Sequence, residues 1–402
     1  MLVVVAPGQG AQTPGFLSPW LDVEGVPERL AWLSSVADLD LVAHGTTSDA
    51  DQIRDTAIAQ PLLVAAGLAT AHALGLDSSE TGRAPGATAG HSVGEITAAV
   101  IAGVLTPEQA MVLVRERGRA MAEAAALTPT GMTAIMGGDP DAVRHALSAY
   151  GLTAANVNGA GQVVAAGELS ALEALADDPP SRARLRPLSV AGAFHTSHMQ
   201  PAVGRLDSLV PGMVVRDPRI PLISNRDGSV VATGTDMLTR LVEQVSAPVR
   251  WDACMASMAD LGVTGLLELA PAGTLTGLAR RGLPDAATFA LTTPDEIGDA
   301  RDFIDQHADA AGPTSAATPS WRLVVAPIKG TVTTAAHAVG TALAPGALVG
   351  HIRSLREAWD VVAPHGGRVL EWLVEDGDPV APGQPLLRLH PHAQDDATGH
   401  AA

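Results

Sequence analysis

The chain has 402 residues, 47% of them hydrophobic but only 3% aromatic, and a formal net charge of −18. That length and apolar content allow a large core plus at least one further domain. A core poor in aromatics must be built from close-packed small and branched aliphatics, as α/β layers allow. The acidic balance argues against nucleic acid or an anionic membrane as the main partner. The single Cys, Cys254, cannot pair within the chain, and WDACMASM around it reads as a buried helix face. No charged-then-apolar leader opens the sequence, and no apolar run is expected to reach the ~18 residues of a membrane span, so the expectation is a cytoplasmic protein.

LVVVA (residues 2–6) followed by PGQG has the pattern of a buried strand stopped by a turn. A helical stretch starts near Ala57 and carries QPLLVAAGLATAHAL. GATAG (86–90) leads into GHSVGE (90–95), and a helix is expected from about Val93 to Gly103. TPEQ (106–109) joins an N-cap Thr, a Pro at the first helical position and an acidic first turn, and so predicts a helix running to about Leu127. From 131 to about 187 the pattern changes to βαββα, which predicts a small inserted subdomain. PLSVAGAFH (187–195), PLISN (221–225) and GLLELA (265–270) are expected to resume the main layer. TDMLTRLVEQV and VRWDACMASMADLG are helical segments between the last two.

After Ile304 the pattern gives way to HADAAGPTSAATPS, a linker (306–320) by composition. Beyond it, VAPIKGTV (325–332) matches VAPHGGRV (362–369), and GTALAPG (340–346) matches GDPVAPG (377–383), both at an offset of 37 residues. One offset across two blocks predicts a two-fold repeated β module over 321–392, with a disordered tail at 393–402.

Gly90, Ser92 and Gly94 satisfy G-x-S-x-G, in which small neighbours permit a sharp strand-to-helix turn that exposes the Ser hydroxyl at a helix N-terminus. The same residues would also serve as an N-cap flanked by turn glycines. A nucleophilic Ser needs a base. A sharp elbow would aim His91 away from the hydroxyl, His198 could cap or coordinate, and His195, ending an apolar stretch, is the candidate. Arg117 falls in the middle of an apolar helix face made by Ala110, Leu113, Val114, Ala120, Met121 and Ala124. A guanidinium facing a core needs a hydrogen-bonded anion, supplied either by a structural Asp or Glu or by a substrate carboxylate.

These pieces, in order, resemble the malonyl-CoA:acyl carrier protein transacylases over about residues 1–305: PGQGAQ, QPLL at 60–63, GHSVGE, Arg117, NVNGAGQVVAAG at 156–167, GAFH at 192–195, SNRDG at 224–228 and PVRW at 248–251. The resemblance implies a parallel-sheet, α/β-hydrolase-like core with an inserted ferredoxin-like subdomain. It implies malonyl transfer from malonyl-CoA to the phosphopantetheine thiol of an acyl carrier protein in fatty acid or polyketide biosynthesis. Ser92 then matches the nucleophile, His195 its base, and Arg117 the holder of the malonyl carboxylate. Gln9 and Val93 match the oxyanion-hole backbone positions. Arg250 matches the residue whose carbonyl orients the His; Gln60, Asn156 (with Asn158 as a rival) and Met121 match the pocket. Phe194 resembles the malonyl-selecting form of the GAFH segment. No metal or redox cofactor is implied. A serine hydrolase is the competing enzyme class, but it usually places its His late and has no use for an inward-facing Arg117. An idle scaffold would have no reason to keep a buried cation unpaired.

The half-repeats resemble a biotinyl/lipoyl carrier domain, an all-β barrel-sandwich module whose modified Lys sits on a hairpin. The equivalent position is Arg356, and the only Lys in the chain is Lys329, so no biotin or lipoate is expected. Such a module would serve docking to other acyl-metabolism proteins.

Overall fold

The structure is a computed structural model that describes residues 1–76, 85–159, 161–308, 322–354, 357–363 and 366–390. Most of the expected linker, the tail beyond 392 and Arg356 lie outside the described residues. The chain divides into two compact units, Met1–Ala311 and Gly312–Ala402.

Ten strands are described in the first unit: β1 (Leu2–Ala6), β2 (Ala87–Gly90), β3 (Thr130–Gly137), β4 (Thr153–Gly159), β5 (Gln162–Glu168), β6 (Ala183–Pro187), β7 (Leu222–Ile223), β8 (Val249–Arg250), β9 (Gly265–Glu268) and β10 (Ala287–Ala290). They form a five-stranded parallel sheet, β10-β9-β1-β2-β7, and a second sheet, β6-β3-β5-β4-β8. β1 shows why the first sheet is central. Its Leu2 and Val4 enter one apolar cluster, while Val3 and Val5 enter another on the opposite face. A strand covered on both sides reads as a continuous apolar run, as LVVVA does.

The helix Thr56–Leu74 corrects the expectation about apolar runs. It is 19 residues long and apolar enough to cross a membrane, but 78% of its most apolar window is buried inside the unit, as suits a core helix. Asp55 caps it through the Ala57 amide. The helix Pro107–Ala125 starts at a full capping box between Thr106 and Gln109. It presents Ala110, Leu113, Val114, Arg117, Met121 and Ala124 to the interior.

The segment expected to be βαββα gains a sixth element, β6, which pairs antiparallel with β3. β8, supplied by a distant stretch, adds parallel to β4. Helices Pro140–Ala149 and Leu169–Asp177 bury Val143, Leu147, Leu172 and Leu175 with Ile135 on one face of this sheet. Met132, Ala134, Val164 and Ala166 on the other face join the main core.

PLSVAGAFH does not return to the parallel sheet. Pairing to β3 ends at Pro187, and the chain then turns, with Phe194 N–H bonded to the Gly192 carbonyl at 3.0 Å and His195 at φ 61°. That left-handed conformation is incompatible with a strand and aims the imidazole inward.

The second unit has eight strands among its described residues: β11 (Arg322–Val325), β12 (Gly330–Thr334), β13 (Ala342–Leu343), β14 (Leu348–Arg353), β15 (Ala358–Val362), β16 (Gly367–Trp372), β17 (Pro379–Val380) and β18 (Pro385–His390). They form two four-stranded antiparallel sheets, β11-β18-β16-β13 and β15-β14-β12-β17. Adding 37 to the residue numbers of β12, β13 and β14 gives the starts of β16, β17 and β18, so the repeat exchanges one sheet with the other. The bonds repeat too: Gly340 N–H to Val369 O and Gly377 N–H to Val332 O are both 2.8 Å. Val332, Leu343, Val349, Val369, Val380 and Leu386 fill the space between.

Candidate active site

The sharp elbow at Ser92 is a consequence of two close approaches. A Cβ on Gly90 would overlap the Gly94 backbone, and one on Gly94 would overlap the Ala6 carbonyl, so β2 can turn straight into the helix Gly94–Ile101 only with glycine at both places. Ser92 between them takes φ 53°, a left-handed conformation that costs a non-Gly residue about 1–2 kcal/mol. Asn225 holds it there: its Oδ1 accepts from Ser92 N–H at 2.7 Å, and its Nδ2 donates to the Gly90 carbonyl at 2.7 Å.

Ser92 Oγ lies 2.7 Å from His195 Nε2, and His195 Nδ1 lies 2.7 Å from the Gln244 carbonyl. A carbonyl only accepts, so Nδ1 carries the proton and Nε2 is free to take one from the hydroxyl. Burial and the nearby Arg117 charge push the His195 pKa down to about 3, so the imidazole is neutral and basic in form at neutral pH. Arg117 is 2% exposed. Its Nη1 donates to Gln60 Oε1 at 2.6 Å, and its Nη2 donates to Gln244 Oε1 at 2.8 Å and to Ser92 Oγ at 3.4 Å. Burial lowers its pKa to about 10, which leaves it cationic.

The structure therefore brings Ser92, His195, Arg117, Gln60 and Met121 together, the last two joined by Gln60 Nε2 to Met121 Sδ at 3.3 Å. Phe194 is buried immediately before His195. Val93 stands at the N-cap of the helix that follows Ser92. The Gln9 side chain bonds to the Arg54 carbonyl and to Thr56 Oγ1, while Gly8 beside it packs on His91. Of the two asparagines, Asn158 reaches His91 Nε2 at 2.9 Å, whereas Asn156 Oδ1 is buried without a partner.

Arg250 is a correction. The carbonyl on His195 belongs to Gln244, in the short 3-10 turn Gln244–Ser246, which also takes His195 N–H on the Val245 carbonyl at 3.1 Å. Arg250 is engaged in β8 opposite Val157, with its guanidinium on Asp252.

Three residues were missed. Gln244 lay in VEQV, at the end of an amphipathic helix pattern, where a Gln is unremarkable. Asn225 stood in SNRDG without a role. Glu95 is an acid directly before the apolar run ITAAVIAG, the same signal that drew attention to Arg117. It is 1% exposed, and burial raises its carboxyl to about 7.

The chain matches the acyl transferase domain family over residues 4–312. It is 46% identical over 297 residues to the malonyl CoA-acyl carrier protein transacylase of Mycobacterium tuberculosis, covering 74% of this chain and 98% of that protein. The Escherichia coli protein of the same name is 33% identical over 297 residues, covering 72% and 95%. Among solved structures, the Mycobacterium tuberculosis enzyme superposes with a TM-score of 0.72 at 46% identity, over 75% of this chain and 99% of that one. A malonyl-transacylase solved in complex with its type II PKS acyl-carrier protein superposes at 0.70 with 32% identity, over 75% and 99%. With its Ser92, His195 and Arg117 gathered in the matched region, the chain belongs to the acyl transferase family, among the malonyl CoA-acyl carrier protein transacylases.

Proposed function

We propose that the protein moves the malonyl group from malonyl-CoA to the phosphopantetheine thiol of an acyl carrier protein by a ping-pong route through a Ser92 ester. The observation that carries this is the arrangement around one oxygen: Ser92 Oγ has a neutral imidazole at 2.7 Å and a buried guanidinium at 3.4 Å. His195 takes the hydroxyl proton as Oγ attacks the thioester carbonyl, then gives it to the departing CoA sulfur. Val93 and Gln9 supply the oxyanion hole; among the described residues, neither backbone N–H has an acceptor. Arg117 pairs with the malonyl carboxylate, whose carbon is separated from the ester carbonyl carbon by a single methylene. In the second half-reaction the carrier thiol replaces CoA and the same groups run in reverse.

Phe194 narrows the space beside the acyl α-carbon and so favours malonyl over methylmalonyl. The exposed Arg182, Arg184 and Arg186 on and before β6, with Arg280 and Arg281, offer cations to an acidic carrier. The second unit is read as a biotinyl/lipoyl-like barrel-sandwich module that carries neither group and docks other acyl-metabolism proteins. The sequence between β14 and β15 contains no Lys, and Lys329 sits in the turn between β11 and β12. Loading assays with purified fatty acid and polyketide carriers side by side test the transfer: malonyl must appear on a carrier thiol, and its appearance on neither with free malonate accumulating would make the protein a hydrolase.

A further inference from the structure

Among the described residues, the buried Arg117 bonds only to two neutral amides and a hydroxyl, and the one carboxylate whose charge acts on it is Glu95. Gln244 stands between them. Its Oε1 accepts from Arg117 Nη2 at 2.8 Å, and its Nε2 donates to Glu95 Oε2. A guanidinium only donates and an ionised carboxylate only accepts, so an amide spanning the two is pinned in one orientation. The other carboxylate oxygen, Glu95 Oε1, accepts from Asn225 N–H at 2.5 Å. Through these two residues one carboxylate braces all three working parts: Asn225 holds the Ser92 elbow, the Gln244 carbonyl holds His195, and the Gln244 side chain holds Arg117.

We propose that Glu95 is a positioning residue that serves as the resting counter-charge of Arg117 through the Gln244 amide, and that it takes up a proton when the acyl carboxylate on Ser92 replaces it as the partner of Arg117. This rests on the acyltransferase reading above. Acyl transfer itself is proton-neutral near pH 7: the Oγ–C bond forms, the C–S bond breaks, and the Oγ proton leaves on the CoA thiol. The extra proton comes from solvent and ends on the Glu95 carboxylate.

The other titratable groups around Glu95 are held or shifted away from neutral pH. Arg117, from the helix Pro107–Ala125, remains a cation. Burial keeps the Cys254 thiol, from the helix Trp251–Asp260, protonated, burial holds His195 neutral, and burial lowers the pKa of His91 on the elbow side, whose share of any uptake remains in Glu95→Gln. Burial has already lifted the Glu95 carboxyl to about 7, and a second negative charge beside Arg117 raises it further.

The test counts protons during loading of the full-length protein with malonyl-CoA in weak buffer with an indicator dye, with adducts counted by intact mass. Malonylation at pH 7 is expected to take up as much as about half a proton per adduct, and the uptake should vanish toward pH 5, where Glu95 already holds its proton. Glu95→Gln should load more slowly and without uptake, and Glu95→Asp should keep the uptake. Malonylation without uptake, uptake that persists at pH 5, or equal uptake in Glu95→Gln would overturn the proposal alone. Absence of any malonyl adduct would remove the functional reading and the proposal with it.

Discussion

Replacing Arg117 by Ala should separate malonyl transfer from acyl transfer in general. The guanidinium is 2% exposed, and its Nη2 reaches Ser92 Oγ, the oxygen proposed to carry the acyl group, so a malonyl carboxylate would be desolvated on entry and paired there. Removing one partner of a buried pair costs about 3–5 kcal/mol, because the other charge is left without compensation. At about 1.4 kcal/mol per factor of ten, malonyl kcat/KM should fall by about two to nearly four orders of magnitude. Acetyl-CoA carries no carboxylate, and its kcat/KM should fall much less or rise. Parallel measurement of both acyl-CoAs with wild type and Arg117→Ala, with thermal melting to verify folding, gives the comparison. Equal losses for the two would refute the pairing and make Arg117 a structural cation serving Gln60 and Gln244 alone.

Phe194→Ser should admit methylmalonyl-CoA: one methyl group in a tight pocket is worth about 1–3 kcal/mol, so the malonyl preference should shrink by about 10- to 200-fold in competition assays, and an unchanged ratio would count against Phe194. Ending the chain after Ala311 should leave malonyl transfer largely intact, since the first compact unit ends there and contains every proposed site residue; a folded but inactive truncation would contradict this. The pH profile follows from His195. With its pKa pushed down to about 3, the base stays unprotonated as pH falls from 8 to 5.5, so in Glu95→Gln, where the Glu95 carboxyl no longer titrates, the acylation rate constant should hold within about threefold, whereas an ordinary imidazole would lose about tenfold. The same displacement makes the unfolded chain bind a proton at His195 below about 6.5 that the fold refuses until about 3, so this residue's contribution to stability declines as pH falls through that window.

The elements with strong local signals were legible in the sequence. LVVVA announced a buried strand, TPEQ a capped helix, and the apolar face around Arg117 its burial. The 37-residue offset announced a repeated β module, but not that the repeat exchanges one β sheet with the other. The misses share a cause: they depend on contacts between residues far apart in the chain. His195 was expected at a strand end, but its φ of 61° is imposed by a turn that packs between Ala125 and the Gln244–Ser246 turn. The carbonyl that orients it could not be placed by counting from PVRW, because the chain leaves the helix Gly234–Glu243 through a 3-10 turn before β8. Glu95 and Asn225 meet across 130 residues of sequence, and no periodicity reports such a pairing.

The central claim is a malonyl ester on Ser92 that is passed to a thiol. The enzyme is loaded with malonyl-CoA, freed of CoA by rapid desalting, and mixed with a phosphopantetheinylated carrier protein while intact masses of both proteins are followed. The account predicts that the malonyl mass leaves the enzyme and appears on the carrier in equal amount, and that Ser92→Ala acquires no adduct. A malonyl adduct on Ser92→Ala, or an isolated adduct that yields only free malonate in the presence of carrier, would contradict it.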